Sequence, residues 1–208
     1  MASLAVMRPR KLLRVPTIAS GWRGAPTTMA VLLIIVLASV VSACHQDLRV
    51  QWVEGGYARF REHGFSMKCA MSYECKVVYA GFPHREGSGA TLLGPVVDDL
   101  SRVGRGGHVG IRNFPGPALV VWRASDGKER HGRIDIGAIF KDEVQRHRVP
   151  LTDVAGIQGT PVILLVVDDR TIRVYMKTWV RLKRPVNDGN PYSDFREDVT
   201  LAFEKTYR

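Results

Sequence analysis

The chain has 208 residues, 45% of them hydrophobic and 24% charged, which excludes a disordered or fibrous polymer and leaves room for one domain or two small ones. Its formal net charge of +10 is unevenly placed: residues 1–43 carry five basic and no acidic side chains, leaving 25 basic against 20 acidic residues, or +5, from residue 44 onward. Half of the basic excess therefore sits in the amino-terminal segment, and the charge argument for a nucleic-acid partner falls away.

Residues 29–43 form an uncharged apolar run of fifteen residues, preceded by Arg8, Arg10, Lys11, Arg14 and Arg23. A membrane-spanning helix needs roughly twenty residues, so the run reads as the apolar region of a signal peptide behind a basic leader. Met7 is an alternative start. The run ends in Val41-Ser42-Ala43-Cys44, an aliphatic residue, two small residues and a cysteine, which resembles the lipobox of bacterial lipoproteins. The resemblance implies lipidation at Cys44, cleavage before it, and a bilayer as first partner through the acylated cysteine. Two or more acyl chains anchor stably, because each buried methylene adds about 0.8 kcal/mol. His45, rather than an aspartate, follows the cysteine, and by the sorting habit of that family this implies an outer-membrane lipoprotein facing the periplasm. The expected organisation is a signal peptide over 1–43 and a single periplasmic β-rich domain over 44–208.

Cys69 and Cys75 lie six residues apart, and an exported chain meets an oxidising compartment, so a disulfide closing this short loop is the first reading. A metal site is the weaker one, because the spacing is not Cys-x-x-Cys and no histidine lies close in sequence; free thiols remain open. With one cysteine for lipid and two for a bridge, none is left over.

Leu48, Val50 and Trp52 alternate with polar residues and suggest a strand. Lys76–Phe82 reads as a strand ended by Pro83, residues 86–89 as a loop, and Thr91–Arg102 as a short helix or an extended piece around Pro95. After the glycine-rich loop 104–107, Val109–Arg112 is a short strand. Ala118–Ala124 and Glu129–Ile136 flank Ser125-Asp126-Gly127-Lys128, whose Asp-Gly pair predicts a hairpin with a type I′ turn. A second hairpin runs from Pro161–Val167 through Asp168-Asp169-Arg170. Its first arm is apolar on both faces and should be a covered central strand. In its second arm Ile172, Val174, Met176 and, after a phase change, Trp179 alternate with Arg173, Tyr175 and Lys177. Phe140–His147 is a candidate helix of one or two turns, and 185–191 a loop. Residues 193–208 fit either a helix capped by Ser193 or a strand, the helix slightly favoured by Asp194 and Glu197 in its first turn. Short strands and abundant turn chemistry predict a mostly-β, sandwich-like fold of antiparallel hairpins with one or two short helices.

The chemistry-bearing motifs are sparse. Gly87-Ser88-Gly89 lacks the spacing of a nucleophile elbow, and Gly104–Gly110 lacks that of a dinucleotide loop because position 109 is valine. No two of the six histidines stand at metal-ligand spacing, so neither metal nor other cofactor is expected, nor catalysis. The adjacent acids Asp98-Asp99 and Asp168-Asp169 and the tryptophans Trp122 and Trp179 are candidates for contacting a protein partner, the tryptophans only if exposed. Basic groups recur as Arg102/Arg105, Arg130/Arg133, Arg146/His147/Arg148 and Arg181/Lys183/Arg184. They suit a solvated face, anionic headgroups or an acidic protein.

Pro115-Gly116-Pro117-Ala-Leu-Val-Val-Trp122, then Asp126-Gly127-Lys128 and the arm through Asp168, resemble a group of small bacterial lipoproteins encoded beside type VI secretion phospholipase effectors. That resemblance implies an immunity protein that neutralises a lipase-type toxin in the periplasm. A structural or accessory envelope lipoprotein of a secretion or conjugation system is the alternative, and a hydrolase assembled from distant residues a third reading.

Overall fold

A computed structural model describes residues 57–96, 99–103 and 107–208. Cys44, Asp98 and the strand expected near Leu48 lie outside the described residues. Among the described residues nine strands form two sheets: β1 (Glu62–Ala70), β2 (Ser72–Tyr79), β3 (Phe82–Glu86), β4 (His108–Arg112), β5 (Ala118–Ala124), β6 (Glu129–Ile134), β7 (Val154–Asp168), β8 (Thr171–Leu182) and β9 (Phe195–Thr206). The larger sheet has the order β4-β1-β7-β8-β9 and the smaller β3-β2-β5-β6. Every pairing is antiparallel except β1 with β7. The expectation of a mostly-β sandwich holds; the described residues add a short helix, α1 (Ile136–Ile139), and a 3-10 turn (Leu100–Arg102).

The core lies where the inward rows of the two sheets meet. Phe65 and Cys69 of β1, Ile163, Leu165 and Val167 of β7, and Ile172, Val174 and Met176 of β8 pack against Cys75, Val77 and Tyr79 of β2 and Val120 and Trp122 of β5. The other face of β7 is covered too. Leu164 and Val166 are buried under Val96, Leu100 and Val103, so the doubly apolar arm is the covered central strand its composition predicts. A single residue, Met71, carries the chain from the larger sheet into the smaller, in a left-handed conformation with φ 44°. Immediately beside this crossing Cys69 of β1 is bonded to Cys75 of β2, with Cα atoms 6.0 Å apart and both side chains buried. The bridge thus ties the two sheets together where the chain changes layer. Its removal as the Cys69→Ala/Cys75→Ala pair is expected to cost about 2 kcal/mol in the loop-entropy account, read as a lower urea midpoint against the oxidised protein.

Several local expectations give way to tertiary demands. Pro83 does not end a strand; the chain turns at Ala80-Gly81, both at positive φ, and Pro83 lies inside β3 opposite Val78. Proline is tolerated there because β3 is an edge strand and needs no outward amide. The β5–β6 turn is not type I′. Only Gly127 has positive φ, and Gly127 N donates to the Ala124 carbonyl at 2.9 Å, closing a three-residue loop. Asp126 stays at negative φ, and its carboxylate accepts from Lys128 N at 3.0 Å and from both Arg130 Nη atoms at 2.9 and 2.8 Å.

The expected helix at Phe140–His147 lies one turn earlier, where Asp135 caps α1 by accepting from Ala138 N at 2.9 Å. Phe140 plugs the core, and residues 143–145 pair with residues 58–60 around an isolated bridge between Arg59 and Val144. The favoured carboxy-terminal helix is instead β9, twelve residues pairing along the full length of β8, whose other backbone edge would otherwise be bare. No phase change occurs in β8: Met176, Thr178 and Val180 continue the buried row and Trp179 points outward.

Candidate interaction surface

Among the described residues, no other strand or helix lies over the outward side chains of the smaller sheet. Its strand registers place Pro83, Val78, Leu119 and Arg133 in one row across β3, β2, β5 and β6. Arg85, Lys76, Val121 and His131 make the next row, and Glu74, Arg123 and Glu129 begin a third. The faces alternate as strand geometry requires, Val120, Trp122 and Ala124 turning inward while Leu119, Val121 and Arg123 turn out. Leu119 is 48% exposed and Val78 43%, an apolar pair with Arg133 in its row and Lys76 and Arg85 in the next.

Two shallow hollows flank that pair. One of about 330 Å³ is lined by Val78, Ala80, Pro115, Pro117, Leu119 and Arg133. The other, about 430 Å³, is lined by Glu74, Lys76, Ser88, Gly89, Val121 and Arg123 among others. Partial burial opposes ionisation of Glu74, but Arg85 and Lys76 beside it outweigh that and hold its carboxyl below the usual carboxylate range. The Arg123 guanidinium lies 5.0 Å from the centre of the Tyr73 ring and donates to the Gly89 carbonyl. Arg133 is exposed, so positive charge is left over on the Leu119 side.

The residues singled out from sequence do not gather into one site. Trp122 is 1% exposed and cannot be a surface anchor; its Nε1 donates to the Asp169 carbonyl at 2.6 Å. Asp169 sits in the β7–β8 turn, where its carboxylate accepts from Ser125 N and Oγ at 3.1 and 2.8 Å. Partial burial opposes ionisation of Asp169, but the bonds from Ser125, with Arg170 nearby, keep its carboxyl below the ordinary range. Trp122 and Asp169 therefore fasten the turn of one sheet to the turn of the other, a structural task. Asp168 accepts from Arg173 Nη1 at 2.8 Å on the outer face of the larger sheet. Asp99 lies elsewhere, accepting from Ser101 N at 3.1 Å in the 3-10 turn that crosses that same outer face, and pairing with Arg102 at 3.0 Å.

Sequence reasoning missed what holds that crossing segment down. Lys177, expected to meet solvent, is 5% exposed; its Nζ donates to the Ser101 and Val103 carbonyls at 3.0 and 2.9 Å and pairs with Glu197 at 2.7 Å. It missed as well the wholly buried His63, whose Nδ1 lies 2.8 Å from Asn113 Oδ1 and whose Nε2 lies 2.9 Å from Tyr79 Oη. Neither has a local signal, since both depend on residues distant in sequence. The open face did have one, the alternation of Leu119, Val121 and Arg123 against Val120 and Trp122. Among the described residues no group of three or more His, Cys, Asp or Glu is placed to hold a metal ion. No protein-family model, curated protein or solved structure matches the chain.

Proposed function

We propose that the mature chain is a lipid-anchored periplasmic binding protein, held on the outer membrane by acylated Cys44, that neutralises a type VI secretion lipase-type toxin by covering it, without catalysis of its own. The observation that carries this reading is the open face of the smaller sheet, where exposed Val78 and Leu119 have Arg133 in their own row, Lys76 and Arg85 in the next and Arg123 in the one beyond. A rigid, disulfide-fastened sheet loses little conformational entropy on binding, and a desolvated apolar centre inside a charged rim is the usual anatomy of a strong protein interface. The face is also built from the Pro115–Lys128 segment on which the resemblance to immunity lipoproteins rests. Its excess of cations calls for a partner surface bearing carboxylates, and opposite charge would speed the encounter.

Co-expression with the lipase-type effector encoded beside this chain is the test. Rescue of the toxin-exposed cell by the wild-type protein is expected, and Leu119→Asp or Arg133→Glu should each weaken the purified complex roughly 30-fold, about 2 kcal/mol. Those two variants change exposed residues, so their melting points should match the wild type. A protein that neither binds nor rescues would leave the accessory envelope lipoprotein as the better reading.

A further inference from the structure

We infer that the end of the larger sheet carrying the β8–β9 loop is a second interaction surface, which rests on an anionic phospholipid bilayer and holds the domain in a fixed attitude to the membrane. Five of the eleven large hydrophobic residues exposed among the described residues belong to it: Leu151, Trp179, Val186, Tyr192 and Phe195. Tyr192 is 86% exposed and Val186 62%, and the two come close across the loop, since Val186 N donates to the Ser193 carbonyl at 2.9 Å. Trp179 stands opposite Glu197 and Phe195 opposite Arg181, so the aromatic side chains share the outer face of the sheet. Solitary exposed apolar residues need no explanation, but a cluster containing Trp and Tyr does. Those two residues favour the membrane–water interface, where the ring is apolar and its polar atom stays wet.

Two adjacent loop cations suit the same occupant. The exposed cations at this end are Arg148, Arg181, Lys183, Arg184 and Arg196, against exposed Asp153 and Asp188. Arg181 Nε pairs with Asp194 at 3.0 Å, and Arg148 and Arg196 both face Asp198, at 3.5 and 3.6 Å, so Lys183 and Arg184 are the exposed cations of this end outside those pairs.

The path of the chain agrees. Phe60 N donates to the Glu143 carbonyl and Gln145 N to the Ala58 carbonyl, while the Tyr57 ring lies 5.0 Å from that of His147. Read backward from Phe60 to Tyr57, the partner advances from 143 to 147, so the chain enters from the side of Arg148–Leu151. That loop is joined to the β8–β9 loop, for Lys183 N donates to the Asp153 carbonyl at 2.9 Å. Residues 44–56 can reach at most about 45 Å fully extended, so an acylated Cys44 keeps this end within reach of its membrane. The fixed attitude rests on the anchoring proposed above; the headgroup contact does not. On this arrangement the open face of the smaller sheet remains available to a protein.

The test uses the purified mature chain with Cys44→Ser, whose unit Arg49–Arg208 is compact and contains the whole described core. It is sedimented with vesicles of phosphatidylcholine alone and with vesicles containing roughly one-third phosphatidylglycerol, at low and at high salt. Binding to the anionic vesicles only, weakened by salt, is expected. Lys183→Glu with Arg184→Glu should lower the partition at least roughly tenfold, and Val186→Asp with Tyr192→Asp should abolish binding that survives salt. Leu119→Asp should leave it unchanged. Absence of anionic preference, or loop variants that sediment like the wild type, would overturn the assignment. So would loop variants that lose a protein partner while still binding vesicles. An unacylated Cys44 beside intact vesicle binding would count against the anchor and for this surface, and acylation beside no vesicle binding would do the reverse.

Discussion

Replacing Trp122 by alanine is expected to lower the unfolding free energy by about 3–5 kcal/mol, a large share of the 5–15 kcal/mol that typically holds a domain folded. The indole is enclosed between the sheets, with Tyr207 edge-on at 5.1 Å, so truncation leaves a cavity that rigid strands on both sides cannot close. Trp122→Phe should cost less, because it keeps most of the volume; like alanine it leaves the Asp169 carbonyl without its donor, a loss of about 1–3 kcal/mol. The difference between the two variants separates packing from the hydrogen bond that joins the turns. Urea unfolding at unchanged slope measures both, and a Trp122→Ala protein with a wild-type midpoint would remove Trp122 from the centre of the core.

The second large effect is acid destabilisation in two windows. His63 is sealed in the core. Asn113 Oδ1 can only accept, with Asn113 Nδ2 donating to the Phe60 carbonyl, so His63 Nδ1 carries the proton and Nε2 accepts from the Tyr79 hydroxyl. Burial pushes the His63 pKa down, only partly offset by the Asn113 bond. Burial likewise lowers His84, helped by His108 nearby, and it lowers His147 against the opposing pull of the Val149 backbone and Asp198. A histidine whose folded pKa lies below its unfolded value favours the fold fully above about pH 6.5. As the pH falls below that value the unfolded chain takes up the proton first, and the stability drains away until the folded pKa is passed. His63 alone supplies a slope of up to about 1.4 kcal/mol per pH unit across that window.

The carboxylates act lower. Asp126 is held well down by its bonds to Arg130 and Lys128, and in Asp198 the bonds and charge of Arg148 overcome the opposing effect of burial. Their contribution is complete above about pH 4 and is lost as the pH falls through their folded values. Stability measured against pH is therefore expected to decline in two stages. His63→Gln, which can still accept and donate hydrogen bonds, should flatten the upper stage. A constant unfolding free energy between pH 7 and pH 5.5 would refute the assignment of these histidines.

Much of the fold is written in local patterns. The run Pro161–Val167 is apolar at every position, and only a strand covered on both faces satisfies it. The spacing of Cys69 and Cys75 suggests a bridge closing a short loop, and the structure has that bridge across the turn at Met71. Both hairpins follow from turn residues between β-prone arms, although the glycine of Asp126-Gly127 supplies the positive φ without its neighbour. Patterns of this kind are legible because each strand's side chains alternate whether or not its neighbours are known.

Turn chemistry and period-two burial are properties of neighbouring residues, so the β-rich class, the two hairpins and the covered strand are legible before any partner is known, and the cysteine spacing favours the bridge. Which polar residues are buried and which apolar ones stand in water depends on what each strand packs against. Alternation in β8 cannot tell that Lys177 lies under the 3-10 turn and Trp179 beyond its reach, nor that the tail must be a strand because β8 has a bare edge. Trp122 and Asp169 offered the chemistry of a binding site, and their partners in space gave them the work of closing the sandwich. Burial and backbone pairing are settled between segments far apart in the chain, and no local pattern carries that information.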